Sequence, residues 1–374
     1  MRCEQMYRIF KKNGITFYSG VPDSTFKPWM SYLADEHGAK LTNIIACNEC
    51  EAVANAAGYH LATGNVGVVY MQNAGQGKTV NPITSLCDTE VYGIPLILMI
   101  GWRGEPDKKD EPQHKKMGKV MIPLLETLEI PYEILPDNEE QADRIVESLK
   151  VKAMKNSQPV ALIIKKKTFE DYEPRSKQES AYEMMREEAI KAIVDKMDSS
   201  AVIVSTTGKT SRELFEYRIA KGQQPSDFLM VGSMGCAGSA ANAVALEKPE
   251  KQVYIFDGDG AVLMQMGSLA TIGHYGARNL YHIVFDNQSY ESTGGQPTVS
   301  GTVDIEKVAL ACGYNGAATV ETKDQLEVAL DDLVGKQGPQ MLIVKVKKGS
   351  RDDLGRPTKT PVENKEAFME KLRQ

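Results

Sequence analysis

GDGAVLMQMGSLATIGHYGARNLYHIVFDNQSY, residues 258–290, opens on an acid between two glycines and closes just after an Asp-Asn pair, each at the end of an apolar run. The runs QVYIFDG (252–258) and LYHIVFDN (280–287) read as strands, and the stretch between them has the length of one crossover helix. Strands joined this way lie parallel and adjacent, so the two loops that follow them share one end of a sheet, where ligands of open α/β sheets collect. An acid inside such a turn would repel a phosphate held by backbone amides alone. It fits once a divalent cation stands between them. Asp259 supplies one hard oxygen, Asn287 a second without another full charge, and the Ser289 carbonyl a third. Two diphosphate oxygens and a water then complete the octahedron that magnesium demands. Gly258, Gly260 and Ala261 keep the backbone open to the phosphates.

Other phosphate readings fail on spacing. GKT occurs at 77–79 and 208–210, but the glycine that a P-loop needs five positions earlier is Gln72 in one case and Ile203 in the other. A dinucleotide fingerprint would need glycine where Leu263 stands.

The chain has 374 residues, 42% of them hydrophobic, enough for two ordinary cores. A net charge of -6 disfavours a sequence-independent grip on nucleic acid, which needs a basic face. No apolar run has the length of a membrane span, and MRCEQMYRIFKKNG lacks the cationic-then-apolar order of a signal peptide, so a cytoplasmic protein is expected. The six cysteines are too sparse for a disulfide scaffold, and Cys47-Cys50 has no second pair at zinc spacing; free thiols are expected.

Short β-rich runs alternate with helical stretches throughout: ITFYSG, NIIAC, VGVVYMQ, IPLILMIGW, PYEIL and PVALIIK, then AVIVST, DFLMVG, QVYIFDG, LYHIVFDN, GAATV and QMLIVKV. The fold class is therefore α/β, with two doubly wound parallel-sheet domains at 1–167 and 185–374, joined by a polar, charged linker at 168–184. The loops after the strands, among them GVPDS, ACNECE, QNAGQGKT, GWRGEP, STTGKTS, GSMGC, DGDGA and DNQSY, carry the glycines, hydroxyls and acids.

GDG followed by about 26 residues and an Asn-containing turn resembles the motif of thiamine diphosphate enzymes. The usual ending there is two Asn; here Asp286 replaces the first, adding negative charge near the cation. GVPDS (20–24), NECEAVANAAGYHLATG (48–64), QNAGQGKTVNP (72–82), GWRGEPDKKDEPQHKKMGK (101–119), STTGKTSRELFE (205–216), GSMGCA (232–237), ESTGGQPTVSGTV (291–303) and KKGSRDDLGRPTKTPVENKEAF (347–368) are similar to phosphonopyruvate decarboxylases nearly end to end. Cys236 departs from that pattern, where His is expected after GSMG, and so does NAGQGK, where NSGLGN is expected.

The resemblance implies a pyrimidine-binding domain, then a diphosphate-binding domain with a C-terminal extension, and no middle domain. It implies thiamine diphosphate and Mg2+ as cofactors. Glu49, nine residues before Gly58-Tyr59, would be the acid bonded to N1′ of the aminopyrimidine. Gly232 would offer its carbonyl to the 4′-amino group, Met234 would wedge the two rings, and Thr207, Gly208, Lys209 and Thr210 would hold the diphosphate. On the substrate side it implies Asp23, Ser24, Arg103, His114 and Lys115, with His114 as mobile proton donor or phosphonate ligand. Read bare, Asp23 and Ser24 are also ordinary helix caps, Lys115 belongs to a solvated charged loop, and Met234 is a core residue.

The implied reaction is non-oxidative decarboxylation of 3-phosphonopyruvate to phosphonoacetaldehyde and CO2, in 2-aminoethylphosphonate biosynthesis. Its setting is a homodimer or higher homo-oligomer with active sites between subunits. A sulfopyruvate decarboxylase, or another 2-oxo acid decarboxylase, would use the same cofactor motifs. From another class, a phosphate- or nucleotide-binding module would leave Glu49 without a task.

Overall fold

In the computed structural model, residues 1–175, 180–333 and 335–374 are described; residues 176–179 of the expected linker lie outside them. The chain forms two compact units, Met1–Lys177 with Ser292–Gln296, and Gln178–Glu291 with Pro297–Gln374.

The first unit holds β1 (Phe17–Gly20), β2 (Thr42–Ile45), β3 (Gly67–Gln72), β4 (Leu96–Gly101), β5 (Tyr132–Ile134) and β6 (Val160–Ile164), all parallel, in the order β2-β1-β3-β4-β6-β5. The central strands are buried at nearly every position because both faces are covered, and they are mostly apolar. Phe17, Val69 and Met71 enter one core while Tyr18, Val68 and Tyr70 enter the other, the period of two that a strand imposes.

The second unit repeats the plan with β7 (Val202–Ser205), β8 (Phe228–Leu229), β9 (Val253–Gly258), β10 (Leu280–Asp286), β13 (Gly316–Val320) and β14 (Gln340–Lys345), in the order β13-β14-β10-β9-β7-β8; the two-residue strands β11 (Ser289–Tyr290) and β12 (Gln296–Pro297) lie outside this sheet. All of its pairings are parallel. The fold class read from the sequence stands, and β9 and β10 are the adjacent pair that the opening stretch predicts, with Phe285 opposite Gly258. In each sheet the strand order reverses between β1 and β3 or between β7 and β9, and again at the far edge, where β5 or β13 is added outside β6 or β14.

The charge pattern hides one feature. Phe169, inside the stretch read as linker, is buried and stacks on Trp29 at 5.8 Å, and Tyr172 packs edge-on against Tyr32. Charged neighbours outweigh two aromatics in a composition window, but only the aromatics carry enough apolar area to dock. Trp29 is fully buried and also meets Phe10, Tyr18 and Tyr32 at 5.7–5.8 Å. Trp29→Ala should cost about 3–5 kcal/mol in urea unfolding of the whole chain, the range for emptying an aromatic site, while Tyr92→Ala, on a side chain 72% exposed, should cost under about 0.5 kcal/mol.

Candidate active site

In the first unit the expected residues gather at the carboxyl ends of β1 to β4, around the point where the strand order turns. Asn48 caps the helix Glu49–Thr63 by accepting the Glu51 N–H at 3.0 Å, and Gly64, at φ 71°, ends it. Glu49 is therefore the first residue of the helix, and it is buried. Glu51 is exposed and accepts the Cys47 N–H at 3.1 Å, a capping task. One side of Glu49 is closed by Gly75: a Cβ there would lie 2.1 Å from Oε1. The Lys78 ammonium stands 3.5 Å from Oε2 without hydrogen-bonding it, so this buried oxygen has no donor. A buried carboxylate oxygen left without a donor is rare in a folded protein, and it fits a ligand that brings a protonated ring nitrogen.

In the same unit, Asp23 is fully buried and accepts the Gln72 amide at 2.8 Å. Its other oxygen has no partner, and burial raises its pKa above the ordinary carboxylate value, against the pull of Gln72, Thr25 and Arg103. Arg103 donates to Ser24 Oγ at 2.9 Å and grips Asp110 with two bonds, Nε at 2.9 Å and Nη2 at 2.5 Å. Asp110 also takes the Gly104 N–H at 2.8 Å, and these bonds, Arg103's first, hold it down at about 2. Asn73 pins the Arg103 backbone from both sides, its amide donating to the carbonyl at 2.7 Å and accepting the N–H at 3.3 Å.

Gly104, at φ 68°, lets this loop lie against the helix Pro112–Thr127, where Gly118 leaves room: a Cβ on Gly118 would sit 1.6 Å from the Gly104 carbonyl oxygen. That contact seats His114, which is buried with Nδ1 unpartnered. Burial and the Arg103 charge lower its pKa, against the pull of Asp110. His114 is thus neutral at pH 7. Lys115 is exposed, as are Lys108, Lys109 and Lys116.

In the second unit, Asp259 opens a short helix and is buried. Thr298 donates to its Oδ2, and Ser300 Oγ lies 3.1 Å from that oxygen and 2.8 Å from Oδ1 of Asp286. The charge Asp286 brings is not bare: Lys345 stands 2.6 Å away. Among the described residues none forms an ion pair with Asp259, which Lys345 reaches only at longer range. Burial, then the Asp286 charge, pushes its carboxyl up to about 7. Asn287 is buried, its Oδ1 accepting the Ser289 N–H at 3.0 Å, with Gln288 between them in the left-handed region at φ 56°. Among the described residues no three His, Cys, Asp or Glu gather as a metal group. An uncompensated carboxylate beside an amide oxygen instead fits a hard cation that takes its remaining ligands from phosphate and water.

The surrounding loops are built for close approach. Gly208, at φ 103°, leads into the helix Lys209–Ala220, whose first turn holds Lys209 and buried Thr210; Thr207 precedes it, half-buried. Ser233 and Gly235 are both left-handed, at φ 52° and 86°, flanking half-buried Met234 next to Gly232. A Cβ on Gly260 would come within 3.2 Å of the Met234 methyl, so GSMG and GDGA pack on one another. The Lys209 ammonium is 2.5 Å from Glu291.

Sequence reasoning missed Gln72, Asn73, Asp110, Thr298, Ser300, Lys345 and Glu291. All but Lys345 lie inside the stretches quoted for the resemblance and could have been found there; Lys345 ends a strand that carried no other signal. All six cysteines are free, and among the described residues no helix is long and apolar enough to cross a membrane.

The N-terminal TPP binding domain of thiamine pyrophosphate enzymes matches residues 3–121, and their C-terminal TPP binding domain matches residues 206–344. The chain is 34% identical over 365 residues to a phosphonopyruvate decarboxylase of Streptomyces viridochromogenes, covering 94% of this chain and 89% of that protein. With a phosphonopyruvate decarboxylase of Streptomyces hygroscopicus it shares 33% identity, over 96% and 90% of the two chains. With a sulfopyruvate decarboxylase of Methanosarcina acetivorans it shares 27%, over 99% and 97%.

His114 should titrate by NMR below the ordinary 6.5. Its folded state disfavours the proton, so the stability it contributes is present above that value and lost as pH falls through it. The thermal midpoint of the wild type should therefore fall more steeply below pH 6.5 than that of His114→Gln; parallel curves would contradict this.

Proposed function

The chain belongs to the thiamine pyrophosphate enzymes and is a decarboxylase, and we propose that it converts 3-phosphonopyruvate to phosphonoacetaldehyde and CO2 without oxidation, with thiamine diphosphate held through Mg2+. The observation that carries this reading is the buried, donor-free Oε2 of Glu49 at the start of its helix. Thiamine diphosphate, when bound, supplies the electron sink that lets the carboxylate leave as CO2.

The protein residues then divide the work. Glu49 shares a proton with the aminopyrimidine N1′, and its burial keeps water from competing. Asp259, Asn287 and the Ser289 carbonyl hold Mg2+, while Thr207, Gly208, Lys209 and Thr210 with Gly258, Gly260 and Ala261 lie along the diphosphate. Gly232 and Met234 position the rings. On the substrate, Arg103 with Ser24 meets an anionic group, and its two bonds to Asp110 fix the direction in which the remaining guanidinium face points. Asp23 carries a raised pKa and an unpartnered oxygen, suiting it to hold a proton close to the substrate. Neutral His114 donates or accepts a proton at Nδ1, and exposed Lys115 adds positive charge at the entrance.

Phosphonate is favoured over sulfonate by comparison of the relatives that span nearly the whole chain, 34% and 33% identity to the two phosphonopyruvate decarboxylases against 27% to the sulfopyruvate decarboxylase. We place the enzyme in the cytoplasm, in 2-aminoethylphosphonate biosynthesis, as a homodimer or higher homo-oligomer with active sites between subunits. We likewise propose 1–167 as the pyrimidine-binding domain, 168–184 as linker and 185–374 as the diphosphate-binding domain.

Given thiamine diphosphate and Mg2+, the purified protein should release CO2 from phosphonopyruvate at least tenfold faster than from sulfopyruvate or pyruvate. Glu49→Gln should reduce aldehyde formation by three orders of magnitude or more while calorimetry still detects cofactor binding. Turnover near wild type in that variant would reject the role of Glu49, and a preference for sulfopyruvate would move the chain to the other substrate.

A further inference from the structure

Asn287 holds its amide by both ends. Nδ2 donates to Glu291 Oε2 at 3.0 Å, and Oδ1 accepts the Ser289 N–H at 3.0 Å. The two ends of an amide have nearly the same shape, so only partners decide which way it faces. Turned over, Asn287 would set its oxygen against a carboxylate and its NH2 against an N–H, two repulsive contacts in place of two bonds. The amide is thereby locked with one oxygen lone pair still free.

The carboxylate that enforces this is itself held. Arg186 Nη1 donates to Glu291 Oε2 at 3.0 Å, and Lys209 Nζ to Oε1 at 2.5 Å. Arg186 in turn is fixed by a bidentate pair with Glu213, at 2.7 and 2.9 Å. Side-chain exposures are 1% for Glu213, 7% for Arg186 and 15% for Glu291. Two cations thus balance two carboxylates, whereas among the described residues Asp259 has no ion-pair partner of its own. A buried ionic network contributes little net stability against its desolvation cost, and apolar residues would fill the space as well. What it does provide is a fixed direction for the group at its end.

We infer that Glu291, steadied by Arg186 and Lys209, is a positioning residue that orients the Asn287 amide so that its oxygen faces the bound divalent cation. This rests on the reading of Asn287 as a cation ligand. It also gives Lys209 a task besides diphosphate contact.

The test uses the full chain with thiamine diphosphate and Mn2+, reading free Mn2+ by electron paramagnetic resonance. Glu291→Ala removes the acceptor, and Glu291→Asp keeps the charge but withdraws the acceptor by one methylene. Both should weaken Mn2+ ten- to hundredfold, the usual effect of removing a partner that orients a ligand, with an unchanged circular dichroism spectrum. Wild-type affinity in Glu291→Asp would overturn the positioning role, because charge alone would then suffice. Should Glu291→Ala fail to fold, Glu291→Asp decides by itself. Asn287→Ala separates the two levels. If it binds Mn2+ like the wild type, the cation reading falls and this inference with it; if it loses Mn2+ while Glu291→Asp does not, only the positioning role falls.

Discussion

Adjacent parallel pairing of β9 and β10 is the constraint on which the second unit's chemistry depends. With Phe285 opposite Gly258, the residues just past the two strand ends emerge side by side, and those residues are Asp259 and Asn287. A shift of one residue in that register would turn every side chain of a strand to the other face, and both strands are buried on both faces. The hydrophobic pattern that builds the core therefore also aligns the polar tips. Neither acid nor amide contributes to holding the sheet together; they are carried to their positions by Ile255, Phe256, Val284 and Phe285.

Burying charge is the cost of that arrangement, and the molecule meets it unevenly. Asp286 is answered by Lys345, Glu213 and Glu291 by Arg186 and Lys209, and Asp110 by Arg103. Among the described residues Asp259 has no ion pair, one oxygen of Asp23 has no hydrogen-bond partner, and Oε2 of Glu49 has only the Lys78 ammonium at 3.5 Å. These three stand past the ends of strands or at the first turn of a helix, where ligands of open sheets bind. A protein under selection for stability alone would have replaced or paired them. Their incompleteness in the free chain is what makes them candidates for chemistry.

The twelve sheet strands and their parallel direction were legible in the sequence, because most are covered apolar runs and the loops between them are marked by glycine and acids. Asp259 and Asn287 were singled out by their places just past two such runs, and Glu49 by the resemblance, nine residues before Gly58-Tyr59. The residues that complete the sites were not. Lys345 lies 59 positions from Asp286, and Arg186 lies 105 from Glu291, so no local window contains both partners. Thr298 and Ser300, 39 and 41 positions from Asp259, likewise meet it only through the fold. Phe169 was hidden by the charges around it, since burial follows the area of one side chain and composition follows the average of many.

Gly75 shows how a missing side chain can carry as much information as a present one. The space a methyl group would take is occupied by the Glu49 carboxylate, on a helix whose start is 26 positions earlier. The two positions are coupled: any side chain added at residue 75 has to displace the Glu49 carboxylate from where it lies.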